Sequence, residues 1–259
     1  MGVAAAGTLW QRELQRFFRQ PSRIAGAVAT PLLFWLLMGS GLSGSFRLPG
    51  GPAGLNYFGF FFPGTIVLVL LFAAIFSNIS VIEDRHEGFL QGVLVAPVSR
   101  TALVMGKVLG GATLAWLQGI VFLALAPVSG VHLTVTSALE AAGVLALLAV
   151  TLTALGFFFA WKLDSVQGFH AIMNVVLLPM WLLSGAFFPV NGAPLWLSAL
   201  MRANPLTYGV AALREVLYGP AASQGSGLPG VAVSMTIAAV LGLVCLAASL
   251  AATRGGRVD

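Results

Sequence analysis

The chain has 259 residues, of which 58% are hydrophobic and only 8% are charged. The charged residues lie at the ends of long apolar runs, and a charge at the bilayer centre costs about 2.5–3.5 kcal/mol on insertion scales. This distribution excludes a soluble globular protein and predicts a polytopic α-helical membrane protein. The net charge of +5 does not indicate nucleic-acid binding, because the basic residues flank the apolar runs as membrane topology requires. With Cys245 as the one cysteine, an internal disulfide is excluded.

The N-terminal segment, residues 1–23, is predicted to be an interfacial amphipathic helix that ends at Pro21. Its apolar face comprises Trp10, Leu14, Phe17 and Phe18. Its basic face comprises Arg12, Arg16, Arg19 and Arg23. We expect the aromatic side to lie in the acyl boundary and the arginines to point toward anionic headgroups.

Six further segments are each long and apolar enough to cross a membrane, which takes about 20 residues. The predicted spans are Ile24–Gly41, Tyr57–Val81, Ala102–Leu125, Ala138–Ala160, Gly168–Phe188 and Val231–Ala252. An external Gly/Ser/Pro-rich loop, 40–54, is expected between spans 1 and 2. The chain is therefore expected to form one membrane domain, 1–259, with spans 1 to 5 in 24–188, an outer re-entrant segment in 189–220 and span 6 in 231–252.

The segment between spans 2 and 3, residues 83–100, begins with charged residues, continues as a short apolar helix and stops at Pro97. A helix of this kind lying flat beneath the membrane is suited to docking onto another protein. An ordinary solvated loop is the alternative. In span 3, Gly106 and Gly110 form a GxxxG spacing that lets helices approach closely, although chance matches are expected among 31 glycines.

The segment after span 5 is too broken by proline and glycine to span. Pro194 and Pro205 stand where proline opens a short helix. We predict two short apolar helices, separated at Asn204, that dip into the outer leaflet and return. Irregular backbone at that depth requires burial in protein or a lining role in a cavity.

Together these two segments resemble the permease subunit of the ABC-2 family of ATP-binding-cassette transporters. The inner motif is carried by Glu87, Gly88, Pro97, Val98, Ser99, Arg100, Gly106 and Lys107. The outer motif is carried by Ser184, Gly185, Phe188, Pro189, Pro194, Trp196, Leu197, Asn204, Pro205, Leu206, Thr207, Tyr208 and Arg214. The chain departs from the family at 88–91, where it reads Gly-Phe-Leu-Gln and many members read G-T-L-E. One contact to the ATPase is therefore expected to differ.

The resemblance implies an all-α, type V exporter-like fold with a cytoplasmic coupling helix near 87–96 and re-entrant outer helices. It assigns ATPase coupling to Glu83, Arg85, Glu87, Gly88, Leu90, Pro97 and Arg100. It assigns the outer gate to Phe188, Pro189, Pro194, Trp196, Asn204, Pro205 and Tyr208. A substrate path along spans 1, 2 and 5 would include Phe58, Phe61, Phe62, Asn78, Asn174 and Ser184.

The resemblance also implies an ATP-driven exporter of an amphipathic or lipid-linked substrate, such as a drug, lipid or glycolipid. Its partners would be two copies of an ABC ATPase, which bind ATP and Mg, a second copy of the permease or a close relative, and membrane lipid. The chain itself has no GxxxxGK[ST] phosphate loop, and we expect it to hold no catalytic residue, metal or cofactor. For the polar residues inside the spans, hydrogen bonding between helices or to backbone is the favoured interpretation over substrate contact. These residues are Asn78, Gln118, Gln167, Asn174 and Ser184.

Basic residues set the expected orientation. Ten of the 13 lie inside or at the inner boundary if both termini are cytoplasmic, which favours that topology in the cell membrane. An ion-coupled secondary transporter is the nearer alternative, but the acidic residues beyond the first span lie in loops or at span ends. A rhomboid-like protease is a remote one: Ser43 stands in a GxSG sequence, with His132 and His170 as candidate bases.

Overall fold

A computed structural model describes residues 2–44, 55–224 and 227–255, and within these ranges the secondary structure is helical throughout. In chain order the α-helices are α1 Gly2–Phe18, α2 Pro21–Leu42, α3 Tyr57–His86, α4 Phe89–Val95, α5 Arg100–Leu123, α6 Val135–Lys162, α7 Val166–Trp181, α8 Leu195–Ala203, α9 Pro205–Tyr218, α10 Pro220–Gln224 and α11 Val231–Gly255. A 3₁₀ turn covers Ala126–Ser129, and a π turn, Leu182–Ala186, extends α7.

Six of these helices are long and apolar enough to cross a membrane: α2, α3, α5, α6, α7 with its π turn, and α11. The predicted all-α membrane fold with six spans is thereby confirmed. The second span continues to His86. Glu83 and Asp84, predicted to lie in a loop, therefore belong to the last turns of α3. The loop predicted after span 1 falls mainly in residues 45–54, which lie outside the described residues.

Helix α3 is the central element of the bundle. In the most apolar 18-residue stretch of its span, 89% of the residues are buried, whereas the share is 22% in the corresponding stretches of α2 and α11. It packs against α2, α5, α6 and α7. Since α3 is apolar around its whole circumference, it has no polar face to present to water, and burial on all sides is the expected outcome.

Local sequence signals explain where the helices begin. Asn56, Ser99 and Ser165 each accept a hydrogen bond from a backbone N–H in the first turn of α3, α5 and α7. Thr134 forms a reciprocal capping box at the start of α6. Gly88 has a φ of +75°, a conformation that favours glycine, and it turns the chain between α3 and α4. Ser99 and Ser165 lie at the end of the bundle that carries α4, called below the α4 end. Asn56 and Thr134 lie at the opposite end, called the α8 end.

Candidate functional site

The α4 end holds a cluster of charged side chains from α1, α5 and the segment around the end of α3. This ionic cluster consists of Arg12, Glu13, Arg16, Glu83, Asp84, Glu87 and Lys107. Its ion pairs join α1 to the end of α3, α1 to α5, and α5 to the end of α3. The cluster therefore ties three helices together through their side chains.

Asp84 is the centre of the cluster and is fully buried. Arg12 donates from its two terminal nitrogens to both carboxylate oxygens of Asp84, each at 2.7 Å. Arg16 donates to one of those oxygens at 2.6 Å, and Lys107 contacts the other. The hydrogen bond to Asp84 is the main reason that the pKa of Arg12 is raised above its ordinary value. Three cations around one carboxylate offset the cost of removing it from water.

Glu13 is the second buried acid of the cluster. Its Oε1 lies 2.5 Å from Nζ of Lys107, and its Oε2 accepts a hydrogen bond of 2.7 Å from Ser80. The sequence pattern alone did not single out this residue. The available signal was its spacing: Glu13 lies four residues from both Leu9 and Phe17, and all three are buried on one face of α1.

Two glycines of α5 allow α1 to approach closely. A Cβ at Gly106 would lie 2.7 Å from Cβ of Leu9, and a Cβ at Gly110 would lie 2.7 Å from Cβ of Glu13. The predicted close approach at this GxxxG spacing is confirmed, and the helix that approaches is α1. The expectation that the arginines face lipid headgroups is wrong for Arg12 and Arg16, because the acidic residues around the end of α3 supply nearer partners.

Helix α4 rests on this cluster and leaves one side open. Leu90 is fully buried, and the guanidinium carbon of Arg12 lies 3.7 Å from the ring centroid of Phe89. Gln91 and Gly92 are exposed, and Val95 is 89% exposed. The open side of α4 is thus uncharged, and its base is fixed to α1.

The residues predicted for ATPase coupling divide into two groups. Glu83 pairs with Arg16 at 2.8 Å, and Leu90 packs inside. Arg85 donates to the backbone oxygens of Trp161 and Leu163 at 2.7 and 3.0 Å. Arg100 donates to the backbone oxygen of Thr253. Glu87, whose side chain is 60% exposed, Pro97 and Arg100 have open surface, and Gly88 is half-buried.

At the α8 end, the predicted gate segment forms a short helical hairpin, α8 and α9. Asn204 joins the two helices: its Oδ1 accepts from the backbone N–H of Leu206 at 3.1 Å, and its Nδ2 donates to the oxygen of Met180 at 2.6 Å. Tyr208 donates to the oxygen of Arg202 at 2.8 Å. The remaining predicted gate residues are exposed or half-buried. Trp196 is 67% exposed, and Pro194 is exposed, while Phe188, Pro189 and Pro205 are half-buried.

Arg214 is a buried cation that fixes this hairpin to the bundle. Its Nη2 donates to the oxygen of Gly185 at 2.8 Å and to that of Phe60 at 3.3 Å, and its guanidinium lies 4.2 Å from the Phe60 ring centroid. In the part of the chain that the structure describes, no carboxylate pairs with it. Gly185 lies in the last turn of span 5 and leaves the helical conformation with a φ of +75°, so Arg214 satisfies a carbonyl at that end of the helix. The sequence motif includes this arginine but does not reveal its structural role.

The predicted path residues are mostly interior. Phe61 and Phe62 are fully buried, and Asn78 donates to the backbone oxygens of Ala74 and Thr153 at 2.8 and 3.2 Å. Ser184 donates to the oxygen of Trp181 at 2.6 Å, so Asn78 and Ser184 both make the expected hydrogen bonds to backbone. Phe58 is half-buried and stacks on Trp35. Asn174 differs from the others, because it is exposed on α7.

Comparison with known proteins points to one family. Residues 5–218 match the family described as ABC-2 type transporter. A daunorubicin resistance ABC transporter permease protein of Streptomyces coeruleorubidus is 26% identical over 87% of this chain and 79% of its own length. The inner membrane transport permease YadH of Escherichia coli K12 is 28% identical over 83% of each chain. Nodulation protein J of Rhizobium leguminosarum bv. trifolii is 27% identical over 76% of this chain and 74% of its own length.

Proposed function

We propose that this chain, which belongs to the ABC-2 type transporter family and is a transport permease, forms the translocation path of an ATP-driven exporter. The observation that carries the proposal is helix α4, which is open on one side and held on the other by a buried ionic cluster. The sequence has no phosphate-binding loop of its own, so a separate ABC ATPase subunit would hydrolyse ATP.

Helix α4 is the surface that we assign to the ATPase. A short helix with an open, uncharged side fits a groove on a partner, and exposed Glu87 stands at its rim. Because Arg12 contacts both Phe89 of α4 and Asp84 of α3, a displacement of α4 would reach the spans directly. We expect two permease copies and two ATPase copies in the working assembly.

The proposed cargo is amphipathic or lipid-linked. The charges of the described spans lie near their ends or, in the case of Lys107, are paired in the ionic cluster, so a path along the spans offers little to an ionised cargo. One relative is named for resistance to daunorubicin, which is consistent with a hydrophobic drug as one member of this class. We place the protein in the cell membrane with both termini in the cytoplasm, on the basic-residue asymmetry of the sequence. A thiol introduced at Val98 should then react from the cytoplasmic side, and reaction from outside would reverse the orientation.

The test uses the chain co-expressed with a candidate ABC ATPase. The wild-type permease should retain the ATPase on purification and support ATP-driven efflux from vesicles. Glu87→Arg should lower co-purification by about tenfold, equivalent to about 1.4 kcal/mol of lost complementarity. Glu87→Gln removes the charge without reversing it and controls for the 3.5 Å contact to Arg16.

Glu140→Arg is the matched control, since Glu140 is exposed near the start of α6, at the other end of the bundle. It should leave co-purification unchanged. If Glu87→Arg also leaves it unchanged, α4 is not the docking helix. If no ABC ATPase is retained by the wild type and efflux follows an ion gradient instead, the exporter proposal itself fails.

A further inference from the structure

Helix α7 carries three polar side chains on its first half. Gln167, His170 and Asn174 recur at spacings of three and four residues, and they lie on one side of the helix. Gln167 and Asn174 are exposed, and His170 is half-buried. We call these three residues the α7 polar stripe.

Asn174 stands at membrane depth without a hydrogen-bond partner. It lies eight residues beyond the start of α7, which corresponds to about 12 Å along a helix that is long and apolar enough to cross a membrane. Within the described part of the chain its amide makes no hydrogen bond. An amide has two donor hydrogens and an acceptor oxygen, and leaving them unpaired against lipid tails is costly. Asn174 must therefore face water, cargo or another protein surface.

Hydroxyls elsewhere on the spans provide a contrast. Thr236 is exposed and Thr113 is half-buried, and each donates to the backbone oxygen four residues earlier in its own helix, at 2.8 Å. Such side chains can face lipid because their hydrogen bond is already made. In these two cases the hydroxyl is satisfied by a hydrogen bond within its own helix, whereas the amide of Asn174 is not.

The stripe adjoins an aromatic surface on the central helix. The ring of His170 lies edge-on to Phe76 at 6.3 Å between centroids, and Phe76 stacks with Phe72 at 6.3 Å. On the other side, a Cβ at Gly26 of α2 would lie 3.8 Å from the Phe76 ring. Phe76 therefore lies between α2 and α7, with the polar stripe along one margin.

We propose that the α7 polar stripe, beside Phe72 and Phe76, contacts an uncharged, hydroxyl-bearing headgroup of the cargo as it enters the path. The proposal rests on the exporter function above. Amide and imidazole groups supply hydrogen bonds to hydroxyls, and the aromatic faces supply apolar contact to a ring. Helix α7 contains no charged residue, and α3 has none before Glu83. Glu13 and Arg16 of α1 line a cavity with Phe76. Glu13 is paired with Lys107 and Arg16 with Asp84, however, so an ionised headgroup would find no free counter-ion here.

Cysteine accessibility tests the stripe whatever the identity of the cargo. In a Cys245→Ser background, Asn174→Cys is compared with Leu243→Cys, which lies on α11 and is 67% exposed. A charged methanethiosulfonate is applied to the ATPase-bound complex in liposomes. Cys at position 174 should react at least tenfold faster than Cys at position 243, since one would face water and the other lipid.

The chemical class is tested by protection. Decyl glucoside below its micellar concentration should slow the reaction at position 174 severalfold, and decyltrimethylammonium, with the same tail and a cationic head, should not. Equal protection by both would overturn the assignment to an uncharged headgroup. Equal reactivity at positions 174 and 243 would overturn the path-facing position.

Asn174→Leu gives an independent check. If Asn174 instead joins two permease copies, Asn174→Leu should lower the dimeric fraction, the separate Asn174→Cys variant should be unreactive, and the proposal falls. Decyl glucoside should also change the rate of ATP hydrolysis by the wild-type complex. If Asn174→Leu retains dimer and ATPase but loses this effect, the proposal stands. Loss of the ATPase from the wild-type complex would instead count against the exporter function.

Discussion

Removing the positive charge of Lys107 is the sharpest test of the ionic cluster. Lys107 is 3% exposed and contacts two buried carboxylates, those of Glu13 and Asp84. Lys107→Met keeps a long, flexible apolar side chain at the site and removes only the ammonium group. Both carboxylates lose a donor, but they are not equally affected.

Asp84 keeps Arg12 and Arg16, whereas Glu13 keeps only the hydroxyl of Ser80 and a contact of 3.6 Å to Arg12. Breaking a buried ion pair from one side costs about 3–5 kcal/mol, because the remaining charge stays desolvated. We expect Lys107→Met to lie in that range. Adding Glu13→Gln removes the stranded charge, so the double variant should recover at least about 1.5 kcal/mol of the loss.

The assay is equilibrium unfolding of the purified permease in mixed micelles, with limited proteolysis in α1 as a local probe. Lys162→Met is the matched control, since Lys162 is exposed at the end of α6, and it should change stability by less than about 0.5 kcal/mol. Strict additivity of Lys107→Met and Glu13→Gln, to within about 0.5 kcal/mol, would refute the reasoning. It would mean that the two side chains do not depend on each other.

Two further variants probe the packing at either end. Gly106→Ala places a methyl 2.7 Å from Cβ of Leu9 and should destabilise α1 docking by about 1–3 kcal/mol in the same unfolding assay, whereas Gly143→Ala, with open space around it, should be neutral or stabilising. Arg214→Met should leave the Gly185 carbonyl without its donor and increase proteolysis between α8 and α9, with Arg214→Lys intermediate because it keeps the charge but not the planar fork. Proteolysis unchanged by Arg214→Met would show that the hairpin is held by packing alone.

The six spans could be predicted because their signal is local. An apolar run of about 20 residues has few alternatives to a membrane helix, and the caps at Asn56, Ser99 and Ser165 mark starts that the composition already suggests. The division of the outer segment into two short helices was likewise readable from Pro194 and Pro205. In each case the information lies within a few residues of the feature.

The partners of the charged residues could not be predicted in this way. The sequence pattern directs Arg12 and Arg16 toward lipid headgroups, because a basic helical face before a span usually lies there. Their actual partner, Asp84, is about 70 residues away, and the apolar pattern puts it in a loop because that pattern ends before α3 does. Arg214 binds backbone carbonyls, which leave no trace in the identity of Gly185 or Phe60. Such contacts depend on how helices pack, which periodicity does not encode.

At the α8 end, several side chains join span 5 and the hairpin to the start of α3. Tyr57 donates to the oxygen of Phe187 at 2.8 Å, Trp181 to that of Gly64 at 2.7 Å, and Tyr218 to that of Gly59 at 2.7 Å. Together with Arg214 they connect the first turns of α3, the end of span 5 and α9. The hairpin is therefore expected to move with α3 as one body, and an outer gate would open between two permease copies instead of within one.

Ala203 offers a direct test of this expectation, because it is exposed at the end of α8. A disulfide between Cys residues introduced at position 203 in the two copies should block transport while ATP binding continues, and reduction should restore transport. The background again requires Cys245→Ser. Since the bond joins two rigid units, it prevents even a few ångströms of separation at the gate. Normal transport by the cross-linked dimer would show that the hairpins do not part, and would move the search for the gate to residues 58–62.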